Sequence, residues 1–532
     1  MPHDDDLFIG QASSISLGHW LGKDYGKFTL IKGPYHSIQI WLASVLGLPP
    51  MFGLRMFYAG ICALFCSVAL SKLPTILKSL ALVCLLLDPV LIGASASWRL
   101  LRAVSFVPLE VLALTCGICA LDSIALIGSE NAPLNVNNRK ILWISLLASY
   151  FCLGLLLITR EARIVIMFTT LIYTALLSMQ AWKYKLVSPK ILLRLFPVAL
   201  ALLLVFNLPV ISVKLLNRIN YGYAISNEFE EGAFKSFYQD LASVKLVNAD
   251  FQPFIPIKKE SMNALMALAP EGQLAITLSN LNHGWTTHGC KVNKEWCDEY
   301  SSGWFMWALR DAIFDSFSIK SPRDFQESVS LLSRELSELC VSNSDQLSCK
   351  TAAFGYLPYP SRWVGKDESP LNVFADTSRA HFSWLISPHP LKHYASVTHH
   401  HEQAKDVGIH LTSSYSSSEL SRFTQRIEKL TQLGSFLRKI LYISFLAVLS
   451  VTMISKPKLM LSLFEPGSIF IATLLVTSFS VLVLVQVTSF PSVAYLSLVS
   501  PLTTLFIWRY YDRLLANLNP KSSTNVSELT SS

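Results

Sequence analysis

Three aspartates stand in a row near the start of the chain, Asp4-Asp5-Asp6, directly ahead of an apolar stretch. Carboxylates there can do three kinds of work. They cap a helix N-terminus, where their charge meets orphan N–H groups and the dipole. They offer hard oxygens to a divalent cation. Or they take a proton from an acceptor hydroxyl. Capping needs one aspartate, so three invite a further role. A second set of charges lies in short loops between apolar runs: Arg99 and Arg102, then Arg160, Glu161 and Arg163. Guanidinium forks match phosphate oxygens two at a time. Such arginines, converging with an acidic tail, suit a phosphate or diphosphate leaving group presented by a lipid. Their plainer reading is snorkelling to headgroups, with Glu161 as a counter-ion.

Other candidates read more blandly. Asp88 and Glu110 fall inside apolar runs, where a carboxylate is paired or functional; Glu110 has Arg99 and Arg102 within a few helical turns. His399-His400-His401-Glu402 looks like a metal site, but adjacent side chains rarely face one ion, and a solvated loop is expected. Trp304-Phe305-Met306-Trp307-Ala308-Leu309-Arg310 reads as a buried helix whose tryptophans can also line a sugar groove or touch a bilayer. No Walker, G-x-G-x-x-G or G-x-S-x-G motif occurs.

The elements that must hold these groups follow from composition. Of 532 residues, 52% are hydrophobic and only 15% charged, and the mean hydropathy is +0.42. That charge is too low for an ordinary soluble enzyme and the chain too apolar for disorder. The expected fold class is mainly α: a polytopic transmembrane bundle with an extracytoplasmic, α-rich soluble domain. Nine apolar runs approach the length needed to cross about 30 Å of hydrocarbon: 52–70, 79–97, 103–127, 141–159, 163–181, 195–213, 437–455, 466–486 and 490–508. The domains expected are an outer-face tail over 1–50, a six-helix bundle over 51–213, a soluble domain over 214–436, three more spans over 437–510 and a cytoplasmic tail over 511–532.

Charge sets the orientation. The block 214–436 holds 21 Lys+Arg against 24 Asp+Glu, while the flanks hold 23 against 12. Lys72, Lys78, Arg139, Lys140, Lys183, Lys456, Arg509 and Arg513 fall on one side, which the positive-inside rule makes cytoplasmic. The tail and the 214–436 block then lie outside. This basic membrane part gives no reason to expect nucleic acid as a partner. Within the tail, 8–20 and 35–48 read as two amphipathic helices lying in the membrane interface. Helices are expected over 302–317, 324–339 and 418–433.

The cysteines divide by compartment. Six lie in apolar runs and behave as small apolar residues. Cys290, Cys297, Cys340 and Cys349 lie in the soluble block, where an even number suggests two disulfides. Three pairings are possible; the short-loop pairs Cys290–Cys297 and Cys340–Cys349 are expected. Zinc would call for C-x-x-C spacing.

An acidic pair, two interfacial helices and then a bundle with arginine-bearing outer loops resembles the GT-C glycosyltransferases. These are polytopic enzymes that take a sugar from a polyprenyl-phosphate carrier. The protein mannosyltransferase-like branch carries Asp-Asp or Asp-Glu, two residues, then an aromatic. Asp4-Asp5-Asp6-Leu7-Phe8 fits and maps the pair onto Asp4 and Asp5. Gly18-His19-Trp20-Leu21-Gly22, Leu30-Ile31-Lys32-Gly33-Pro34-Tyr35, Thr159-Arg160-Glu161 and the stretch from Cys297 through 303–312 are similar to a poorly characterised bacterial subgroup. The resemblance covers most of the chain on short motifs. It departs in two places: the superfamily has a transmembrane helix before the acidic pair, which would lie upstream of Met1, and Ala162 stands where the subgroup has a second acidic residue.

What the resemblance implies is a sugar transfer at the outer face of a bacterial inner membrane. Asp4 or Asp5 would act as base on the acceptor hydroxyl or help hold a divalent cation. Arg99, Arg102, Arg160 and Arg163, with Glu161 beside them and Lys32 assisting, would bind the carrier phosphate. The soluble domain would orient an acceptor. The expected partners are the carrier-linked sugar, membrane lipids and an acceptor; the competing classes are a lipid or sugar transporter, which calls for polar mid-span residues and repeated halves, and a non-catalytic or degenerate scaffold whose outer domain binds a partner.

Overall fold

Long runs of Leu, Ile, Val, Ala and Phe leave a chain in lipid one economical solution: helices that keep every N–H···O=C bond inside the segment. The computed structural model describes residues 3–89, 92, 102–128, 136–159, 163–184, 189–246, 255–292, 294–301, 303–349, 375, 378–379, 417–457, 465–488 and 499–518. They are mainly helical. The first part comprises α1 His3–Ser16, α2 Tyr35–Val45, α3 Pro50–Val68, α4 Thr75–Leu86, α5 Ala103–Ile127, α6 Val136–Leu157, α7 Arg163–Lys183 and α8 Pro189–Tyr221. A polar domain follows with α9 Ala233–Ser243, β1 Val244–Leu246, α10 Lys259–Leu268, α11 Gln273–Ser279, α12 Thr287–Val292, α13 Gly303–Ser316, α14 Pro322–Ser342 and β2 Leu347–Cys349. The chain then returns to the bundle through α15 Ser417–Ser455, α16 Pro466–Thr488 and α17 Ser500–Leu518.

Among the described residues, six helices are long and apolar enough to cross a membrane: Pro50–Val68, Val104–Ile127, Val136–Leu157, Arg163–Lys183, Pro197–Tyr221 and Gln425–Ser455. Their surroundings sort them. The span in α5 is 83% buried and forms the axis of the bundle, whereas that in α8 is 17% buried. Leu200, Leu203, Leu204, Leu208, Ile211 and Leu215 on α8 are exposed, an apolar face that suits lipid and not water. The other three expected runs fall on α4, α16 and α17. α4 has only 12 residues, about 18 Å of rise. α16 has 23 residues, Pro466–Thr488, and covers the expected 466–486 run. α17 starts at Ser500 and carries Arg509, Asp512 and Arg513 in its second half.

Two charge networks tie these helices down. Asp88, just past α4, is fully buried; it pairs with Arg438 of α15 and accepts from Ser500 Oγ at 2.9 Å. The second network sits at the end bearing Lys72. Arg509 is fully buried, donates to Glu465 Oε1 at 2.7 Å and Asp122 at 3.0 Å, and caps the Ala69 carbonyl. Asp512 accepts from the Lys72 and Leu73 amides at 2.7 and 3.0 Å, and Arg513 reaches Asp122 at 2.6 Å. Lone charges in this setting are costly, and pairing offsets that cost.

The domain boundary expected at 436 has no counterpart as a break. The 418–433 helix and the 437–455 span are one 39-residue helix, α15. Gly434 explains how it seats: a Cβ there would stand 2.0 Å from the Leu87 carbonyl oxygen. In the polar domain Phe234, Phe237, Leu241, Phe305, Leu309, Ile313, Phe325, Val329 and Leu332 pack together, in a core that continues into α1 and α2. β1 pairs antiparallel with β2, Val244 opposite Cys349. Both short-loop disulfides form, Cys290–Cys297 and Cys340–Cys349. α14 opens with a capping box in which Ser321 Oγ accepts from the Asp324 amide and Asp324 reaches back to the Ser321 amide. Ser321→Ala is expected to lower domain stability by about 1 kcal/mol, read by thermal unfolding in detergent; an unchanged midpoint would contradict the cap's role.

Candidate functional site

The acidic run and the arginine loops meet through α1. Leu7, Phe8, Ile9 and Ala12 of this helix are buried, in the same core as the polar domain. α1 and α2 therefore pack between bundle and domain, with these apolar side chains covered by protein. Leu17 after α1, and Leu42, Val45 and Leu46 at the end of α2, are exposed apolar residues of the kind an interfacial helix presents. Phe8 meets the His36 ring edge-on at 4.9 Å, and the Arg102 guanidinium lies 5.8 Å from the Phe8 ring centre. His36 Nδ1 is 2.5 Å from Ser105 Oγ, and Ser37 Oγ donates to Gln11 Oε1 at 2.8 Å. These polar contacts, all buried, fix α1 and α2 against the start of α5.

The loop bearing Lys32 is forced to the same place. Gly33 sits so close to the end of α6 that a Cβ would be 1.9 Å from the Ile158 oxygen. Only glycine allows that approach. Arg102 donates to the next carbonyl along, that of Thr159, at 3.4 Å. The structure thus gathers the N-terminal helix, Arg102, the 30–33 loop and the residue preceding Arg160 at one end of the bundle. The side chains of Asp4 and Asp5, all of Arg99, Arg160 and Glu161, and the 399–402 histidine run lie outside the described residues. Asp6 Oδ1 is buried with no hydrogen-bond partner among the described residues. An orphaned carboxylate oxygen costs free energy unless something occupies it, but one carboxylate does not make a divalent-cation site. Among the described residues no group of three or more His, Cys, Asp or Glu could hold a metal ion.

Two expected phosphate ligands have other engagements. Arg163 pairs with Glu231 at 3.1 Å. Lys32 Nζ lies over the Phe229 and Trp307 rings at 5.6 and 5.8 Å, turned towards the polar domain. Glu231 also accepts from Lys214 at 2.8 Å and Ser226 Oγ at 2.9 Å. Burial pushes its carboxyl up, yet the bonds from Lys214, Ser226 and Arg163 outweigh this and hold it below the usual value. A depressed folded value stabilises above the unfolded one and is lost on acidification. Unfolding temperature is therefore expected to fall as pH drops below about 4.3, and Glu231→Gln to flatten that fall; an identical acid profile would contradict the clamp.

One buried polar cluster went unassigned in the sequence. Arg310, wholly buried on α13, pairs with Glu228 and donates to the carbonyls of Lys27 at 2.9 Å and Thr29 at 3.1 Å. Tyr25 Oη donates to Glu228 Oε1 at 2.6 Å, and the Glu228 amide donates to the Leu30 oxygen at 2.8 Å. Burial opposes the Arg310 charge, but Glu228 and the Tyr25 oxygen more than offset it and hold the guanidinium above its usual value. Burial likewise pushes the Tyr25 hydroxyl well up, keeping it a donor. This cluster staples the 25–30 segment to the polar domain and so sets where Lys32 and Gly33 emerge. The only signal in the sequence was a charged residue inside an apolar helical pattern.

Comparison with family models, curated proteins and solved structures finds no match. The geometry on which a function rests is an acidic helix N-terminus whose helix packs against the polar domain, with Arg102 beside Phe8 of the same helix.

Proposed function

We propose that the chain is an integral membrane glycosyltransferase that moves a sugar from a polyprenyl-phosphate carrier to an acceptor held by the polar domain. The observation carrying this reading is the burial of α1 at the junction of bundle and domain, with Arg102 beside it. An acidic tail with no role would not be packed there. Asp4 or Asp5 takes the proton from the acceptor hydroxyl. The acceptor oxygen attacks the anomeric carbon, and the bond from that carbon to the carrier phosphate breaks, its electron pair leaving on the phosphate. Arg102, with Arg99 and Arg160, meets the charge that develops there. Arg163 serves the Glu231 clamp. Two disulfides favour an oxidising compartment for the polar domain, and the Lys72 end, rich in basic residues, favours the cytoplasm. Together they support an inner-membrane protein with its domain outside.

The test uses the full chain in proteoliposomes loaded with radiolabelled polyprenyl-phosphate sugars. Label is expected to leave the carrier only where the chain is present. Retention of label on every carrier by a folded, inserted chain would favour the scaffold reading.

A further inference from the structure

From the contacts between the turn after α1 and the end of α8 we infer that these two segments form one membrane-seated surface, lying in the phospholipid headgroup layer. α1 ends in a Schellman motif. The Gly18 amide donates to the Ile15 oxygen at 3.0 Å and the His19 amide to the Ser14 oxygen at 2.9 Å. Gly18 takes the left-handed backbone this requires, with φ +80°. Leu17, at the cap, is left 66% exposed. The chain that follows is tied to α8. Trp20 Nε1 donates to Asn217 Oδ1 at 2.6 Å, the Leu21 amide donates to Tyr221 Oη at 3.1 Å, and Tyr221 Oη donates to the Gly22 oxygen at 3.0 Å. Asn217 and Tyr221 belong to Pro197–Tyr221, a segment long and apolar enough to cross a membrane. These bonds set the depth of the turn, which stands beside the last turn of a spanning helix.

Depth decides the occupant. Leu215 and Ile219 are exposed and carry the apolar face of Leu204, Leu208 and Ile211 up to the end of α8. A protein partner over Leu17 would have to share this level with the lipid that meets α8. Trp20 and Tyr221 are half-buried at the same height, with their polar ends in the staple, as amphipathic rings sit at a membrane boundary. Charge completes the pattern. Lys214 of α8 is held by Glu231 at 2.8 Å. One turn further on Arg218 is exposed, and so is Lys23; neither has an ion pair among the described residues. They outnumber Asp24, the single carboxylate of 17–24. Exposed leucine and isoleucine meet acyl chains while the two cations reach headgroup phosphates. The seat bears on α1 as a whole. That helix runs from His3 to Ser16, so the bilayer fixes one end of the helix whose other end carries the aspartates.

Seating in the headgroup layer does not depend on sugar transfer. The full chain in nanodiscs carries an environment-sensitive fluorophore at Leu17→Cys and, in separate chains, at His19→Cys and at Arg334→Cys, an exposed position on α14. The parent chain gives the background of native thiols. Phospholipids bearing a nitroxide near the headgroup are expected to quench the labels at 17 and 19 at least about threefold more than the label at 334, and iodide in the water to quench the label at 334 most. Leu17→Asp, read through the label at 19, should at least about halve the lipid quenching. The nitroxide on an anionic phospholipid should quench at least about twofold more than on a zwitterionic one, and Lys23→Gln/Arg218→Gln should remove that difference. A label at 17 that iodide reaches as it reaches 334, and that lipid quenches no more, would place the turn in water and overturn the seat. Protection of the label at 17 from both quenchers would mean that a second copy or another protein covers it, and overturns the seat equally. Equal quenching by the two nitroxide lipids in the parent overturns the part given to Lys23 and Arg218.

Discussion

Arg310→Ala is expected to cost the polar domain about 3–5 kcal/mol, the scale for removing one partner of a buried ion pair. The substitution leaves the Glu228 carboxylate buried without its guanidinium and strips donors from the Lys27 and Thr29 carbonyls. It also opens space beside Phe325, whose ring centre lies 4.4 Å from the guanidinium carbon. Arg310→Lys should recover little, because one ammonium cannot reach Glu228 and two carbonyls in a fork. Glu228→Gln should cost less, since the amide still accepts and the stranded charge retains the carbonyls. Denaturant unfolding followed by tryptophan emission reads the effect. Proteolysis within 17–34 should accelerate in parallel, because that segment is held by the same groups. A loss under about 1 kcal/mol would mean that the staple is incidental.

Arg102→Ala is expected to slow discharge of the carrier by about 10²–10³, the scale for losing one preorganised group at a developing anion. The fall should appear in kcat more than in KM if Arg102 acts chiefly on the leaving phosphate. Arg102→Lys should restore part of the rate, because the charge survives and the fork does not. Arg163→Ala is the contrast. Its side chain is already taken by Glu231, so its effect should fall on stability at neutral pH. Equal rate losses at the two positions would contradict the division of roles drawn from their contacts.

Much of the architecture was legible because membrane segments announce themselves by length and apolarity. α3, α5, α6, α7 and α8 lie where the apolar runs do. Both disulfides follow from short loops in a polar block. Charge pairing inside the protein was not legible. Asp88 and Arg438 look costly one at a time and are paired in space, 350 positions apart in the chain; Arg509 and Arg513, read only as basic residues on the cytoplasmic side, are paired with Asp122 and Glu465. No local pattern reveals such partners. The amphipathic stripes of α1 and α2 say that one face is buried, not whether lipid or protein covers it. Phe8 and Ile40 turn out to be covered by protein. Of the site, the charged residues were visible as types. Their convergence depends on Gly33 against Ile158 and on Arg310 against the 25–30 segment, contacts between parts of the chain far apart in sequence.

The central claim is that the acidic N-terminal helix is where sugar transfer happens. Its most direct test is discharge of radiolabelled polyprenyl-phosphate sugar by the full chain against Asp4→Asn/Asp5→Asn in proteoliposomes, with Asp6→Asn as a neighbouring control. Loss of general-base action predicts a fall of about 10²–10⁴ in the double variant, with unfolding temperature and insertion unchanged. Discharge at the parent rate by a folded double variant would contradict the account, whatever the fate of the staple.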